Sequence, residues 1–182
     1  MSETTLGLSA STESNGALES KRYFFDVSVV KLILMSTVTL TFYQIYWLYK
    51  NWQLAKERGD DVMPIARAIF GVLFAYPLFK EVREKGRASG LVLASSAGGL
   101  ALLYFVLQIT WRFPGAAWLL GYLSVVPLAL VQRDVARLHS ALGLDPNINS
   151  RFTWKNWVGL VLGGLFLLLI FIGLFVPEPV PN

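Results

Sequence analysis

Few side chains in this sequence have the chemistry of a catalytic or metal-binding group. The chain contains one histidine and no cysteine, which excludes thiolate ligands and thiol nucleophiles. The histidine, His139, lies in QRDVARLHSALG five residues after Asp134, and this spacing matches no HExxH-type metal motif. A catalytic imidazole needs an orienting partner and a place for the substrate, and the sequence shows no such constellation. We therefore predict a solvated His139 at the membrane interface, no cofactor and no enzymatic activity.

A pair of carboxylates, Asp60 and Asp61, follows Gly59 in the segment KERGDDVMP. Clustered carboxylate oxygens suit a divalent cation, so a metal site is one interpretation of the pair. Aspartate is also a frequent residue at the start of a helix, and a proline such as Pro64 suits the first turn. The pattern favours the helix cap, and we predict no bound metal.

Long apolar blocks surround these residues. Hydrophobic residues make up 54% of the 182 positions and charged residues only 15%, against about 25% charged in ordinary soluble domains. Because the apolar residues form blocks rather than spaced amphipathic stripes, lipid is the expected solvent. The net charge of +4 arises from Lys and Arg beside those blocks. This placement indicates anionic lipid head groups, not nucleic acid, as partners.

The blocks predict an all-α polytopic helical membrane protein with four or five membrane segments. A single domain at residues 21–176 lies between a disordered N-terminal tail, 1–20, and a proline-rich C-terminal tail, 177–182. One segment is short, because only twelve residues separate Arg67 from Lys80, and it is expected to span, re-enter or lie at the interface. The five predicted segments are residues 32–49, 65–80, 90–110, 115–131 and 157–176.

The distribution of Lys and Arg predicts the orientation in the membrane. Five spans with an inside N-terminus leave five of the 16 basic residues outside, and four spans with an outside N-terminus leave four. In a third arrangement, residues 32–49 and 65–80 both enter the membrane and return; only Arg112 is then outside, but hydrophobicity favours this arrangement least. We favour five spans in a bacterial inner membrane. All three arrangements place loop 132–156 in the cytoplasm and the C-terminus outside.

An aromatic run, TFYQIYWLYKNW, occupies residues 41–52. Tyrosine and tryptophan concentrate where hydrocarbon meets head groups, and this run includes Lys50 and Asn51 near its end. A cation-binding cage is the alternative, since Tyr43 and Trp47 are i, i+4 neighbours on a helix. We predict a membrane-interface belt formed by Tyr43, Tyr46, Trp47, Tyr49 and Trp52.

The longer run KLILMSTVTLTFYQIYWLYKNW resembles the first apolar segment of a family of small bacterial multi-pass inner-membrane proteins of unknown function. That segment has the form Thr-x-Gly-x-Tyr-x-x-Tyr-Trp-x-Tyr-Lys after a lysine. Thr41 stands where the family has Gly. The resemblance covers about the first half of the chain and implies a membrane fold without an assigned activity. The matching residues are Thr39, Tyr43, Tyr46, Trp47, Tyr49 and Lys50.

Small residues recur at a spacing of four in two of the predicted segments. Such pairs allow helix backbones to approach closely in lipid. We predict that residues 90–110 pack against 157–176 through them, with self-association into a homo-oligomer as the alternative. The three pairs are Ala94 and Gly98, Ser95 and Gly99, and Gly159 and Gly163.

The functional expectation follows from the interior of the four longer segments, which contains no Asp, Glu, Lys, Arg or His. Transporters and pumps usually carry such residues there. We expect a non-enzymatic structural or partner-binding component of the bacterial inner membrane, whose partner is another membrane protein or a second copy. The alternative is a subunit of a small oligomeric channel or transporter. Its wet path would be lined by Thr37, Thr41, Gln44, Ser95 and Ser96.

Overall fold

The computed structural model describes residues 22–93, 96–146 and 148–175, and this part of the chain is all-helical, without a β-strand. The two predicted tails lie outside the described residues. The helices are α1 Val29–Val38, α2 Phe42–Glu57, α3 Pro64–Ile69, α4 Gly71–Ala88, α5 Ala97–Ile109, α6 Val125–Ala141 and α7 Trp154–Phe175, with 3-10 helices Thr110–Arg112 and Gly115–Ser124 between α5 and α6.

One helical run in the described part of the chain, Ala117–Ala141, is long and apolar enough to cross a membrane. It joins the second 3-10 helix to α6 in 25 residues, and about half of its apolar window is buried against the rest of the protein. The runs Val29–Val38 and Asn156–Ile170 are apolar but shorter. The helical fold class is thereby confirmed, and the number of membrane segments stays a prediction.

The first predicted segment, residues 32–49, is two helices rather than one. Leu40 and Thr41 have left-handed backbone conformations, with φ of 50° and 70°, which interrupt a right-handed helix. The Thr39 hydroxyl accepts a hydrogen bond from the Tyr43 amide at 3.0 Å and so caps the first turn of α2. The prediction of one continuous helix was wrong because no Gly or Pro marks this turn.

The short predicted segment, residues 65–80, is also divided. Pro64 lies in the first turn of α3, as predicted, and α3 ends at a turn centred on Phe70. The following helix, α4, contains Pro77 and continues beyond Lys80 to its end at Ala88. This segment is therefore a short helix followed by a longer one whose second half is charged.

The carboxylate pair does not cap α3. Met63 occupies the N-cap position and makes no side-chain hydrogen bond there. Asp60 instead lies in the turn after α2, where its amide donates to the Ala55 carbonyl at 3.2 Å and its carboxylate lies 3.7 Å from Arg58. The predicted cap was wrong because Asp60 contacts the end of α2, three residues before Met63, the N-cap residue of α3.

One end of the molecule brings together distant parts of the chain, and we call it the basic end. The N-terminal segment reaches the second half of α2, where the Phe25 amide donates to Asn51 Oδ1 at 3.0 Å. Just beyond α2, the Arg58 guanidinium donates to Glu81 Oε1 on α4 at 2.6 Å. Lys85, one turn further along α4, lies 4.4 Å above the Tyr23 ring.

The same end contains the start of α1, the last turns of α6 and the loop before α7. Lys31 Nζ donates to the carbonyls of Asn149 and Arg151, both at 2.8 Å. His139, near the end of α6, lies 2.7 Å from Asp26. The basic end therefore consists of the N-terminal segment, the first turn of α1, the C-terminal parts of α2, α4 and α6, and the loop after α6.

At the opposite, distal end lie the start of α2, the end of α5 and the start of α6. Gln44 Nε2 donates to Ser124 Oγ at 3.0 Å, and Gln108 Nε2 donates to Gln44 Oε1 at 3.2 Å. Arg112 follows Gln108 by four residues and belongs to the 3-10 helix at this end.

Both helix pairs of the N-terminal half leave the basic end and return to it. Lys31 and Asn51 lie at the basic end, so α1 and α2 run in opposite directions around the turn at Thr41. The pair α3 and α4 extends less far from the basic end than α1 and α2 do, since Gly71 at its turn packs against Leu48 in the middle of α2. The two ends of segment 32–49 thus lie on one side of the molecule.

The glycines of α7 pack against α1 rather than against residues 90–110. A Cβ on Gly163 would collide with the Val38 carbonyl, and one on Gly159 would lie 3.6 Å from Met35 Cε. A Cβ on Gly98 would instead lie 3.8 Å from Tyr76 on α4. The predicted packing partner was therefore wrong for α7. Of the other predicted packing residues, Gly99 lies beside Ser96, the N-cap of α5, whereas Ala94 and Ser95 lie outside the described residues.

Candidate functional site

A stripe of polar side chains on α2 points into the protein. Gln44, Trp47 and Asn51 follow the i, i+3, i+7 spacing of one helix face, and all three are fully buried. The Asn51 amide group donates back to the Trp47 carbonyl at 2.8 Å. Because buried polar groups must be hydrogen-bonded to avoid a desolvation cost, this face requires polar partners elsewhere in the fold.

Helix α6 and its preceding turn supply those partners. Ser124 and Gln132 are fully buried and accept from the α2 stripe: Gln44 Nε2 donates to Ser124, and Trp47 Nε1 donates to Gln132 Oε1 at 2.7 Å. Helix α5 completes the network through Gln108, which donates to both Gln44 Oε1 and the Tyr104 hydroxyl, the latter at 3.0 Å. These long side chains bridge three helices and occupy the space between them.

The histidine belongs to the basic end of this interior. His139 is fully buried, and its Nδ1 lies 2.7 Å from Oδ1 of Asp26, which is also fully buried. Arg22 donates to the other carboxylate oxygen of Asp26 and, at 2.9 Å, to the Asp145 carbonyl. The prediction of a solvated His139 was wrong, because Asp26, separated from it by 113 positions, supplies a buried partner that no local spacing could indicate.

The Asp26 carboxylate orients the imidazole of His139, as carboxylates hydrogen-bonded to a histidine do in catalytic and metal sites. His139 Nε2, the atom that would act on a substrate or a metal, is buried and has no hydrogen-bond partner among the described residues. No group of three or more His, Cys, Asp or Glu side chains converges on a possible metal position in the described ranges. The contact that this geometry shows is therefore the one between Asp26 and His139, which links the N-terminal segment to α6.

Basic side chains cover the same end of the protein. Arg58 donates to the Tyr23 carbonyl as well as to Glu81, and Arg67 lies 4.5 Å above the Trp52 ring. Burial raises the pKa of the Glu81 carboxyl, and the neighbouring Arg58 opposes part of this increase. These contacts hold the cations in defined positions on carbonyls, carboxylates and aromatic rings.

The predicted aromatic belt is divided between the core and the surface. Tyr43, Trp47 and Trp52 are buried within the protein, so the interface role predicted for these three side chains was wrong. Tyr46 is 43% exposed and Tyr49 is half-buried, and for them the belt stays a prediction. The alternative cage of Tyr43 and Trp47 has no access for a cation, because Trp47 is wholly buried.

Two cavities adjoin these features. The larger, about 590 Å³, lies at the basic end between the N-terminal segment, α2 and the loop after α6. The second, about 480 Å³, is an apolar groove between α1, the second 3-10 helix and α7, lined by Thr37, Trp118, Tyr122 and Leu168 among others. Only the larger combines several polar and charged side chains with aromatic rings.

Comparison with known proteins finds no matching family model, no matching curated protein and no matching solved structure. The resemblance of residues 31–52 to a bacterial membrane-protein family accordingly stays a prediction based on the sequence pattern.

Proposed function

We propose that this chain is an integral protein of the bacterial inner membrane and acts there as a non-enzymatic component that binds a partner or lipid. Its basic end faces the cytoplasm and its C-terminus lies outside. The observation that supports this best is the uneven distribution of basic residues. Lys31, Arg58, Lys85 and Arg151 lie at the basic end, and Arg112 lies at the distal end. Such asymmetry matches the positive-inside rule.

Exposed apolar side chains on α7 support contact with lipid. Leu162, Leu165 and Leu169 are each more than half exposed, and they lie on a helix of 22 residues. A soluble monomer rarely exposes a continuous apolar surface of this kind. In the proposed arrangement α5, the run Ala117–Ala141 and α7 cross the membrane, whereas α1 with α2 and α3 with α4 enter from the cytoplasm and return.

A re-entrant turn is stable in a membrane only where its backbone polar groups are satisfied and the protein covers it. The turn between α1 and α2 meets this requirement. The Thr41 amide donates to the Ser36 carbonyl at 2.8 Å, and the Thr39 amide donates to the Met35 carbonyl at 3.0 Å. Gly163 of α7 packs on the adjacent Val38 carbonyl and so shields it from lipid.

Two measurements test the proposed role. Alkaline carbonate should leave the full chain in the membrane pellet, and release into the supernatant would contradict an integral membrane protein. After solubilisation in mild detergent, affinity purification should recover a stoichiometric membrane-protein partner or bound lipid. Purification of a lipid-free, partner-free chain that catalyses a reaction would contradict the non-enzymatic role.

The channel alternative depends on polar residues that the structure places in different surroundings. Thr37 donates its hydroxyl to the Ile33 carbonyl at 2.9 Å, Gln44 belongs to the buried network, and Ser96 caps α5 by accepting from the Gly99 amide at 3.1 Å. These three side chains therefore do not line one path within the chain. Ion flux through proteoliposomes that contain the purified protein would favour the channel over the proposed role.

A further inference from the structure

We infer that the cavity at the basic end is a binding site for a zwitterionic phospholipid head group, in which a phosphate diester is joined to an ammonium, as in phosphatidylethanolamine. This inference rests on the proposed membrane location. The cavity volume of about 590 Å³ falls within the usual range for small-molecule sites. Three separate parts of the chain form its walls, so the cavity exists only in the folded protein.

The cavity lining carries both signs of charge. Arg22 and Lys50 supply two cations, and Asp26 and Glu57 supply two carboxylates. Asp26 is already paired with Arg22 and His139, which leaves Glu57 as the carboxylate at the mouth of the site. A purely anionic ligand would approach Glu57 unfavourably, whereas a zwitterion satisfies both signs at once.

Lys50 supplies the donors for the phosphate. On α2, Lys50 Nζ donates to Gln53 Oε1, and Gln53 Nε2 donates to Glu57 Oε1, each at 3.0 Å. The Lys50 ammonium carries three N–H donors, so donors remain for a phosphate oxygen. Across the cavity, Arg22 adds positive charge to the lining, while its guanidinium donates to Asp26 and to the Asp145 carbonyl.

The ammonium has a complementary position beside an aromatic surface. Phe25 and Tyr46 both line the cavity and meet edge to face, with ring centroids 5.9 Å apart. Tyr46 is 43% exposed, an aromatic ring attracts an ammonium through its π-electrons, and Glu57 supplies the countercharge. Leu54 and Ile148 add apolar lining for the first carbons of the lipid.

Native mass spectrometry of the full chain in mild detergent tests this site directly. Phosphatidylethanolamine and phosphatidylglycerol with identical acyl chains are added at equal concentration. We expect the ethanolamine lipid to be retained about fivefold more strongly, as a difference of one charged contact implies. Lys50→Gln should weaken the retention of both lipids, and Glu57→Gln should remove the preference between them.

Lys56→Gln is the matched control, since Lys56 is exposed on the same helix and does not line the cavity; it should retain the wild-type preference. Equal retention of the two lipids by the wild type, or an unchanged preference in Glu57→Gln, would overturn the proposed site. Glu57 is exposed, so this variant should fold even if Lys50→Gln does not.

A competition experiment identifies the source of the ligand. Displacement of the bound lipid by soluble glycerophosphoethanolamine would mean that the head group alone is sufficient. Retention against this competitor would support the site and assign it to the membrane lipid. Because this assay measures head-group choice in detergent, it can fail while the carbonate extraction still supports the membrane location.

Discussion

Asp26 and His139 form a buried pair, 2.7 Å apart, that ties the N-terminal segment to the last turns of α6. Neither side chain is accessible to solvent. Arg22 contacts the second carboxylate oxygen of Asp26, so the carboxylate is held from both sides. This pair holds the N-terminal segment in place together with the hydrogen bond from the Phe25 amide to Asn51 Oδ1.

Removal of this carboxylate should destabilise the protein strongly. Asp26→Ala leaves Arg22 without its anionic partner and His139 without its hydrogen bond in a buried environment. The expected loss is about 3 kcal/mol of the free energy of unfolding, as for other buried pairs that lose one partner. Thermal unfolding in detergent measures it.

Asp61→Ala is the control for that measurement, because Asp61 is exposed and a surface change of this kind costs less than about 0.5 kcal/mol. Equal melting temperatures for the two variants would show that the buried pair does not stabilise the fold.

Thr41→Gly should stabilise the protein. Thr41 has a φ of 70°, and a left-handed conformation costs a residue with a Cβ about 1–2 kcal/mol. Glycine removes that strain but loses more backbone entropy on folding, about 0.5–1 kcal/mol, so the net gain is expected to be about 0.5–1 kcal/mol.

Thr37→Gly provides the opposite expectation, since Thr37 lies inside α1 with an ordinary helical backbone. Glycine there should lower the melting temperature. If both variants lower it equally, the turn between α1 and α2 is not left-handed at Thr41.

Neighbouring glycines on α7 should respond differently to a methyl group. Gly163→Ala should destabilise by about 1–3 kcal/mol, because the new Cβ would overlap the Val38 carbonyl. A Cβ on Gly164 meets no atom of the described residues within 4 Å, so Gly164→Ala should be neutral or slightly stabilising, since alanine favours the helix. Chemical unfolding in detergent distinguishes them, and equal effects would contradict the contact between α7 and α1.

The contact between Trp47 and Gln132 can be measured with a double-mutant cycle. Trp47→Phe removes the indole donor and Gln132→Leu removes its acceptor, which lies 2.7 Å away. Each single variant leaves one buried polar group unpaired, whereas the double variant removes both. A coupling of about 1 kcal/mol is therefore expected, and strictly additive effects would show that the two side chains do not interact.

The helical fold was predictable because continuous apolar blocks without cysteines, turn clusters or alternating patterns favour helices. The places where helices end within those blocks were not predictable in the same way. The sequence from Val38 to Phe42 contains neither Gly nor Pro. At this turn the Ser36 carbonyl accepts from the Thr41 amide, and the Thr39 hydroxyl accepts from the Tyr43 amide. Local hydrogen bonds that no Gly or Pro signals close the turn that divides this segment.

The polar interior was partly readable from the sequence. Gln44, Trp47 and Asn51 occupy one helical face, and that spacing could have indicated a buried polar stripe rather than a belt of interface aromatics. The partners could not be predicted, since Ser124 and Gln132 are separated from this face by 80 and 85 positions. A still larger separation, of 113 positions, concealed the pairing of Asp26 with His139.

The sidedness of single cysteines distinguishes the re-entrant arrangement from one in which the first helix crosses the membrane. The chain contains no natural cysteine, so Asp61→Cys, Arg112→Cys and Ser140→Cys can each be labelled with a membrane-impermeant maleimide in intact cells. The proposed arrangement predicts labelling at Arg112→Cys alone, with Asp61→Cys and Ser140→Cys reactive only after permeabilisation. Labelling of Asp61→Cys in intact cells would contradict the re-entrant arrangement and restore a first helix that crosses the membrane.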